Sequence, residues 1–244
     1  MQDDNASLGK GFTHTPWTLV LAAAGPSSAA SREALEQLCR AYWPPVYAHL
    51  RMKGYALHHA QDLAQEFFLR LLQGNGFADL AREKGRFRSF LLASLKHFLI
   101  NEWKRENTQK RGGGVPLVNL DSLDPALRAA CEPRTGDSPD QAYDRQWALT
   151  LLNRTRSRMR KEYEAAEQLD RHEALKGYLA DGEEPASYAE TALRLGISEA
   201  AAKSAIYKIR QRFGQLLRAE ISRTVAADGE VEDELRHLIA ALRD

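Results

Sequence analysis

Between Pro185 and Arg218 the chain reads PASYAETALRLGISEAAAKSAIYKIRQRFGQLLR, and one glycine inside it decides how the stretch can fold. Tyr188, Ala192 and Leu195 recur at three-to-four spacing, which predicts a short helix over about Ser187 to Leu195. Gly196 ends it, because glycine takes the left-handed backbone of a helix end without strain. Ser198 is placed to cap a second helix by accepting a bond from a free backbone N–H. That helix turns Ala202, Ala205, Ile206, Ile209, Phe213, Leu216 and Leu217 inward. It leaves Lys203, Ser204, Tyr207, Lys208, Arg210 and Arg212 for other faces. Ala192, four residues before the glycine, is small enough for the two helices to cross closely. This is a helix-turn-helix pattern, whose second helix enters a DNA major groove. Six basic side chains stand against two acidic ones here, a balance that suits phosphate neutralisation. The bland reading of the same residues is a helical hairpin with a solvated basic face.

No strand pattern appears in the 244 residues, so the expected fold is all-α. Hydrophobic residues make up 43% and charged residues 27%, enough apolar side chain to build a core. The net charge of +1 hides strong local segregation. Cys39 and Cys131 stand far apart with no metal-ligand spacing, so we expect reduced cysteines, no zinc and no cofactor. The polar start MQDDNAS shows no secretory signal, and Trp17 to Ala24 and Phe90 to Leu95 are too short to span a bilayer. A cytoplasmic protein without a membrane partner is the expectation.

Residues 1–30 read as an N-terminal extension, with Thr15-Pro16-Trp17 as a helix start. A helical domain follows over 31–111. Its first helix, about Ser31 to Tyr42, gives way at Pro44-Pro45 to another that carries Val46, Tyr47 and Leu50 and ends at Gly54. Ala60 to Leu72 is the next helix, with Leu63, Phe67, Phe68 and Leu71 apolar and Asp62, Gln65, Glu66 and Arg70 polar. Gln73 to Arg86 is a loop or short helices. Phe87 to Arg111 reads as one long helix, apolar in its first half, with Trp103 among Lys104, Arg105, Lys110 and Arg111 in its second. From Gly85 to Arg111 seven cations face two acids, and aromatic rings among cations suit a single nucleic-acid strand. The bland reading is a solvated helix end. Residues 112–140 hold four prolines and five acids against two arginines, and read as an acidic linker. A second domain, 141–222, begins with a helix to about Ala180, striped by Trp147, Leu151, Thr155, Met159 and Tyr163, and ends in the helix-turn-helix. The tail, 223–244, is acidic, with a short helix over Val231 to Leu242.

Three segments in order carry a resemblance: Asp62-Leu63-Ala64-Gln65-Glu66-Phe67-Phe68, Gly85-Arg86-Phe87-Arg88-Ser89-Phe90-Leu91, and Tyr188-Ala189-Glu190 with Leu195-Gly196-Ile197-Ser198 and Lys203. With them the chain resembles a sigma factor of the extracytoplasmic-function (ECF) group of the sigma-70 family. The resemblance implies a non-enzymatic initiation factor of two helical domains that binds core RNA polymerase and promoter DNA. It implies that Asp62, Gln65 and Glu66 dock on the polymerase clamp. It implies that Phe87, Arg88, Trp103, Lys104 and Arg105 hold the melted minus-ten element. The minus-thirty-five element would be read by Ser198, Glu199, Ala200, Lys203, Ser204, Tyr207 and Lys208. Arg210 and Arg212 would meet phosphate or the polymerase flap, and the acidic linker would lie in the RNA-exit path. Regulation by an anti-sigma protein or a kinase stays open.

The chain departs from the family pattern in places. His58-His59 and Gln61 stand where relatives carry acids, His97 and Asn101 where many have Asn and Asp, and Thr191 where an aliphatic residue is usual. The alternative function is a stand-alone helix-turn-helix regulator that binds an operator without polymerase. An enzyme such as a nuclease has little support, since there is no carboxylate cluster, no HExxH and no phosphate-cradling loop.

Overall fold

Two consecutive prolines sit in the middle of the first helix without ending it. The computed structural model describes residues 29–73, 86–108, 134, 136–179 and 185–243. Helix α1 runs from Ala29–Met52 with Pro44 and Pro45 inside, correcting the break expected there. Each proline removes a backbone donor and costs about 3 kcal/mol in a helix interior. The neighbours offset that cost. Tyr42, Trp43 and Tyr47 are almost fully buried, and an aromatic side chain hides roughly 150–250 Å², about 4–6 kcal/mol at 25 cal/mol/Å². Trp43 also stacks on Tyr47, with ring centroids 4.4 Å apart.

The remaining elements are α2 (Leu57–Gln73), α3 (Phe87–Thr108), α4 (Pro139–Ala165), α5 (Leu169–Leu175) with a 3-10 turn (Lys176–Tyr178), α6 (Tyr188–Leu195), α7 (Glu199–Ser222), a second 3-10 turn (Asp228–Glu230) and α8 (Val231–Arg243). Among the described residues there is no strand, and the all-α expectation stands. The expected helix at Thr15-Pro16-Trp17, the inside of the 73–86 loop and most of the acidic linker lie outside the described residues.

Helix α4 organises the rest, because α1, α7 and α8 all pack on it. Its start is set by a capping box: the Gln141 N–H donates to Ser138 Oγ at 3.2 Å and the Ser138 N–H donates to Gln141 Oε1 at 2.9 Å. Pro139 fills the first turn, where its missing donor costs nothing. The expected stripe is buried as read, with Trp147, Leu151, Thr155 and Met159 inside and Tyr163 half-buried. The helix does not continue to Ala180. It ends at Ala165; just beyond it, Glu167 takes φ +55° and the Gln168 N–H turns back to the Tyr163 carbonyl at 2.8 Å.

The stripe feeds two interiors. Its first half, Tyr143, Trp147, Ala148 and Leu151, enters a large core with Tyr42, Phe67, Phe87, Leu91 and Leu95 from α1–α3 and with Ile221, Val225, Val231 and Leu238 from the end of the chain. Its second half, through Met159, joins Leu175, Tyr178, Ile206, Ile209 and Phe213 in a smaller core under the helix-turn-helix. Helices on both sides of the acidic segment therefore share one interior.

Candidate nucleic-acid interface

Local chemistry sets the helix-turn-helix. The Ser187 Oγ accepts from the Glu190 N–H at 3.2 Å, and Glu190 Oε2 accepts from the Ser187 N–H at 2.8 Å, so a second capping box starts α6. The Ser187 N–H and hydroxyl both donate to the Glu190 carboxylate and hold it below its usual range. Gly196 ends the helix at φ +63°, as its sequence position predicts, and its N–H reaches back to Ala192 and Leu193. Ser198 caps α7 by accepting from the Ala201 N–H at 3.3 Å.

Thr191, the departure from the aliphatic pattern, has a specific job. It is 1% exposed, and its Oγ1 lies 2.7 Å from the Tyr178 hydroxyl. Tyr178 gives its one proton to the Ala186 carbonyl, so Thr191 is the donor between the two hydroxyls. An aliphatic side chain there would leave that Tyr178 lone pair without this donor. The Tyr178 ring stacks on Tyr188 at 6.2 Å with planes 2° apart, and Lys203 Nζ sits 5.3 Å from the centre of the Tyr188 ring.

All seven residues assigned to the minus-thirty-five element are exposed: Ser198, Glu199, Ala200, Lys203, Ser204, Tyr207 and Lys208. Ser198 caps α7 and the other six share one of its faces, because Ala202, Ala205, Ile206 and Ile209 take the other into the core. Tyr207 is 67% exposed. The two arginines further along are committed inside the chain. Arg210 Nε donates to the Tyr178 carbonyl at 3.0 Å. Arg212 grips both oxygens of Glu162 at 2.8 and 2.7 Å, which raises its pKa.

Helix α3 divides the minus-ten assignment. Trp103 is 66% exposed, and Lys104 and Arg105 are exposed beside it. Phe87 and Arg88, which the resemblance assigns to the same element, are buried in this arrangement. Phe87 is fully buried against Tyr42 and Trp147, and its N–H donates to the Thr224 carbonyl at 2.8 Å. Arg88 is 7% exposed. Its Nε meets Glu234 Oε1 at 2.8 Å and its Nη1 meets Asp144 Oδ1 at 2.5 Å. Burial alone pulls the guanidinium pKa down, but these carboxylates outweigh it and hold the pKa above the ordinary value.

Of the docking residues, Asp62 is exposed and Gln65 half-buried on α2. Glu66 pairs with Arg70 at 2.6 Å and with Arg105 at 3.5 Å, and both arginines also pair with the buried Glu102. The carboxylate assigned to polymerase and a cation assigned to DNA thus belong to one ionic cluster.

Beside that cluster lies a groove of about 540 Å³ between α2 and α3, lined by Phe67, Arg70, Phe90, His97, Phe98 and Asn101 among others. Phe90, His97 and Asn101 were not among the sequence-assigned site residues. Their signal was spacing: Phe90, Ser94, His97 and Asn101 recur at three to four residues along α3 and mark one face with mixed chemistry. No described helix is long and apolar enough to cross a membrane.

A family model described as ECF sigma factor matches residues 32–219, which takes in α2, α3, the acidic segment and the helix-turn-helix. No curated protein and no solved structure matches the chain. ECF sigma factors are transcription initiation factors, not an enzyme family, and they bind core RNA polymerase and promoter DNA. With that match over most of its length, the chain belongs to the ECF sigma factor family.

Proposed function

We propose that the chain directs core RNA polymerase to specific promoters, reading the minus-thirty-five element with α7 and holding the melted minus-ten element along the second half of α3. The observation that carries this is the outward face of α7: six exposed side chains, with the Ser198 cap, on a helix whose position is locked by Gly196, two serine caps and the Tyr178–Thr191 bond. Lys203 and Lys208 supply phosphate contacts, and Ser204 and Tyr207 offer hydrogen-bonding groups to base edges. On α3, Trp103 presents a flat ring for an unstacked base with Lys104 and Arg105 next to it, a pairing worth about 1–3 kcal/mol per stacked base. The adjoining groove adds Phe90 and Phe98 as apolar walls and His97 and Asn101 as polar edges. Asp62, Gln65 and Glu66 are the polymerase-facing side of α2.

The test is co-purification with core polymerase followed by run-off transcription on genomic fragments. Glu66→Ala is expected to weaken core binding, and Lys203→Ala to weaken promoter recognition with core binding intact. A chain that ignores polymerase but binds an operator alone would be a stand-alone regulator, and this reading would fall.

A further inference from the structure

The family match ends at residue 219, yet part of what covers the start of α3 lies beyond it. Helix α8 turns Val231, Glu234 and Leu238 into the core. Glu234 is 0% exposed and holds Arg88 through both carboxylate oxygens, at 2.8 and 3.5 Å. It also faces Arg86 at 3.4 Å, and Asp233 stands 3.8 Å from the same arginine. His237 of α8 meets Asp144 of α4 at 2.9 Å, the aspartate that also holds Arg88. Arg218 of α7 grips Glu232 at 2.6 Å, and Tyr143 Oη donates to the Arg88 carbonyl at 3.1 Å. So the basic first turn of α3 is covered by a separate, acidic, C-terminal helix.

The chemistry of that cover is informative. A carboxylate that accepts from two guanidinium nitrogens presents oxygens to arginine much as a backbone phosphate does. A buried ion pair is a poor way to gain stability, because desolvation consumes much of the attraction.

We propose that α8 is an intramolecular clasp whose Asp233 and Glu234 imitate phosphates on Arg86 and Arg88, so that α8 must lift before the start of α3 can meet a DNA strand. This rests on the reading of α3 as a DNA-holding helix. In the clasped form Asp233 and Glu234 occupy Arg86 and Arg88, and the open form frees Arg86 and leaves Arg88 with Asp144 as its remaining carboxylate. The clasp lies outside the stretch that the family model matches.

The test uses the full chain with Glu234→Gln, Glu234→Lys, and Asp228→Asn as a control that makes the same change in net charge as Glu234→Gln at an exposed site away from the arginines. Hydrogen–deuterium exchange is followed in peptides spanning 86–95 and 231–243. Affinity is measured by anisotropy with a mixed-sequence single-stranded 20-mer, and core polymerase binding by co-purification. Glu234→Gln is expected to speed exchange in both peptides about tenfold and to tighten oligonucleotide binding five- to tenfold. Glu234→Lys should do at least as much, and Asp228→Asn should stay within twofold of the parent. A residue that merely stabilised the fold would weaken binding when replaced. If Glu234→Lys does not fold, Glu234→Gln decides alone. The clasp is overturned if Glu234→Gln binds the oligonucleotide no better than the control while polymerase binding persists. Failure of every version, parent included, to bind polymerase removes the initiation-factor reading instead.

Discussion

The Trp147 indole lies flat on the ring of Tyr42, with centroids 5.0 Å apart and planes 22° apart, although one residue belongs to α1 and the other to α4. Tyr143 and Phe87 stand at 6.0 and 6.1 Å from the same indole. This aromatic stack joins the helices before the acidic segment to those after it. Trp147→Ala is expected to cost about 3–5 kcal/mol, the range for emptying a buried aromatic site. Urea unfolding followed by fluorescence and by circular dichroism should show one coincident transition that moves as a whole. Two separate transitions, with only one displaced, would mean that the shared core is not a cooperative unit.

The hydroxyl pair under the recognition helix has its own signature. Thr191→Val keeps the shape but removes the donor to Tyr178, and should destabilise by about 1–2 kcal/mol. Tyr178→Phe removes the bond to the Ala186 carbonyl as well and should cost at least as much. In a double-mutant cycle the two changes should be less than additive, because they share one bond. Additive costs would show that the hydroxyls do not support each other.

The outward face of α7 should separate binding from stability. Lys203→Ala and Tyr207→Ala touch exposed side chains and should shift stability by no more than about 0.5 kcal/mol. Lys203→Ala should also lower the slope of log affinity against log salt by about one for duplex promoter DNA. Arg212→Ala is expected to leave DNA affinity unchanged, because that side chain is held by Glu162. A large loss of affinity in Arg212→Ala would mean that the arginine leaves its carboxylate to reach DNA.

On α3 two aromatic residues should behave in opposite ways. Trp103→Ala should leave folding intact and weaken single-strand binding by about 1–3 kcal/mol. Phe87→Ala should unfold the chain or destabilise it by about 3–5 kcal/mol, since the ring is fully buried. Thermal melts beside oligonucleotide titrations distinguish the two. Equal loss of stability in both variants would contradict the placement of Trp103.

His49 predicts the acid side of the stability curve. The ring is fully buried, and burial lowers its pKa to about 4 even though Nδ1 meets the Pro139 carbonyl at 3.1 Å and Asp140 lies nearby. Its Nε2 meets no hydrogen-bond partner among the described residues. A histidine with a lowered folded-state pKa stabilises the fold above its ordinary value of about 6.5. That contribution is lost as the pH falls from there toward 4. The loss is on the order of 3 kcal/mol across this window. Urea midpoints from pH 7 to 4 should fall accordingly, and His49→Gln should flatten the curve. An unchanged slope in His49→Gln would assign the acid sensitivity to other groups.

The sequence by itself determined the elements whose causes are local. Gly196, Ser187 and Ser198 act on neighbours one to four residues away, so the helix-turn-helix and its exposed face were legible from spacing. The α4 stripe from Trp147 to Met159 was legible for the same reason, since four-residue spacing puts side chains on one side of a helix. Only the tertiary structure decided what the spacing left undetermined. Pro44-Pro45 read as a break because the local cost of proline is visible in sequence, whereas the burial of Tyr42, Trp43 and Tyr47 that offsets it is not. Arg88 was placed on DNA by the family resemblance, and the residues near it in sequence name no partner for it. Its partners lie 56 and 146 residues away, and such pairing depends on where α4 and α8 come to rest. Periodicity records which face of a helix is apolar, and only packing settles which distant carboxylate closes over a charge.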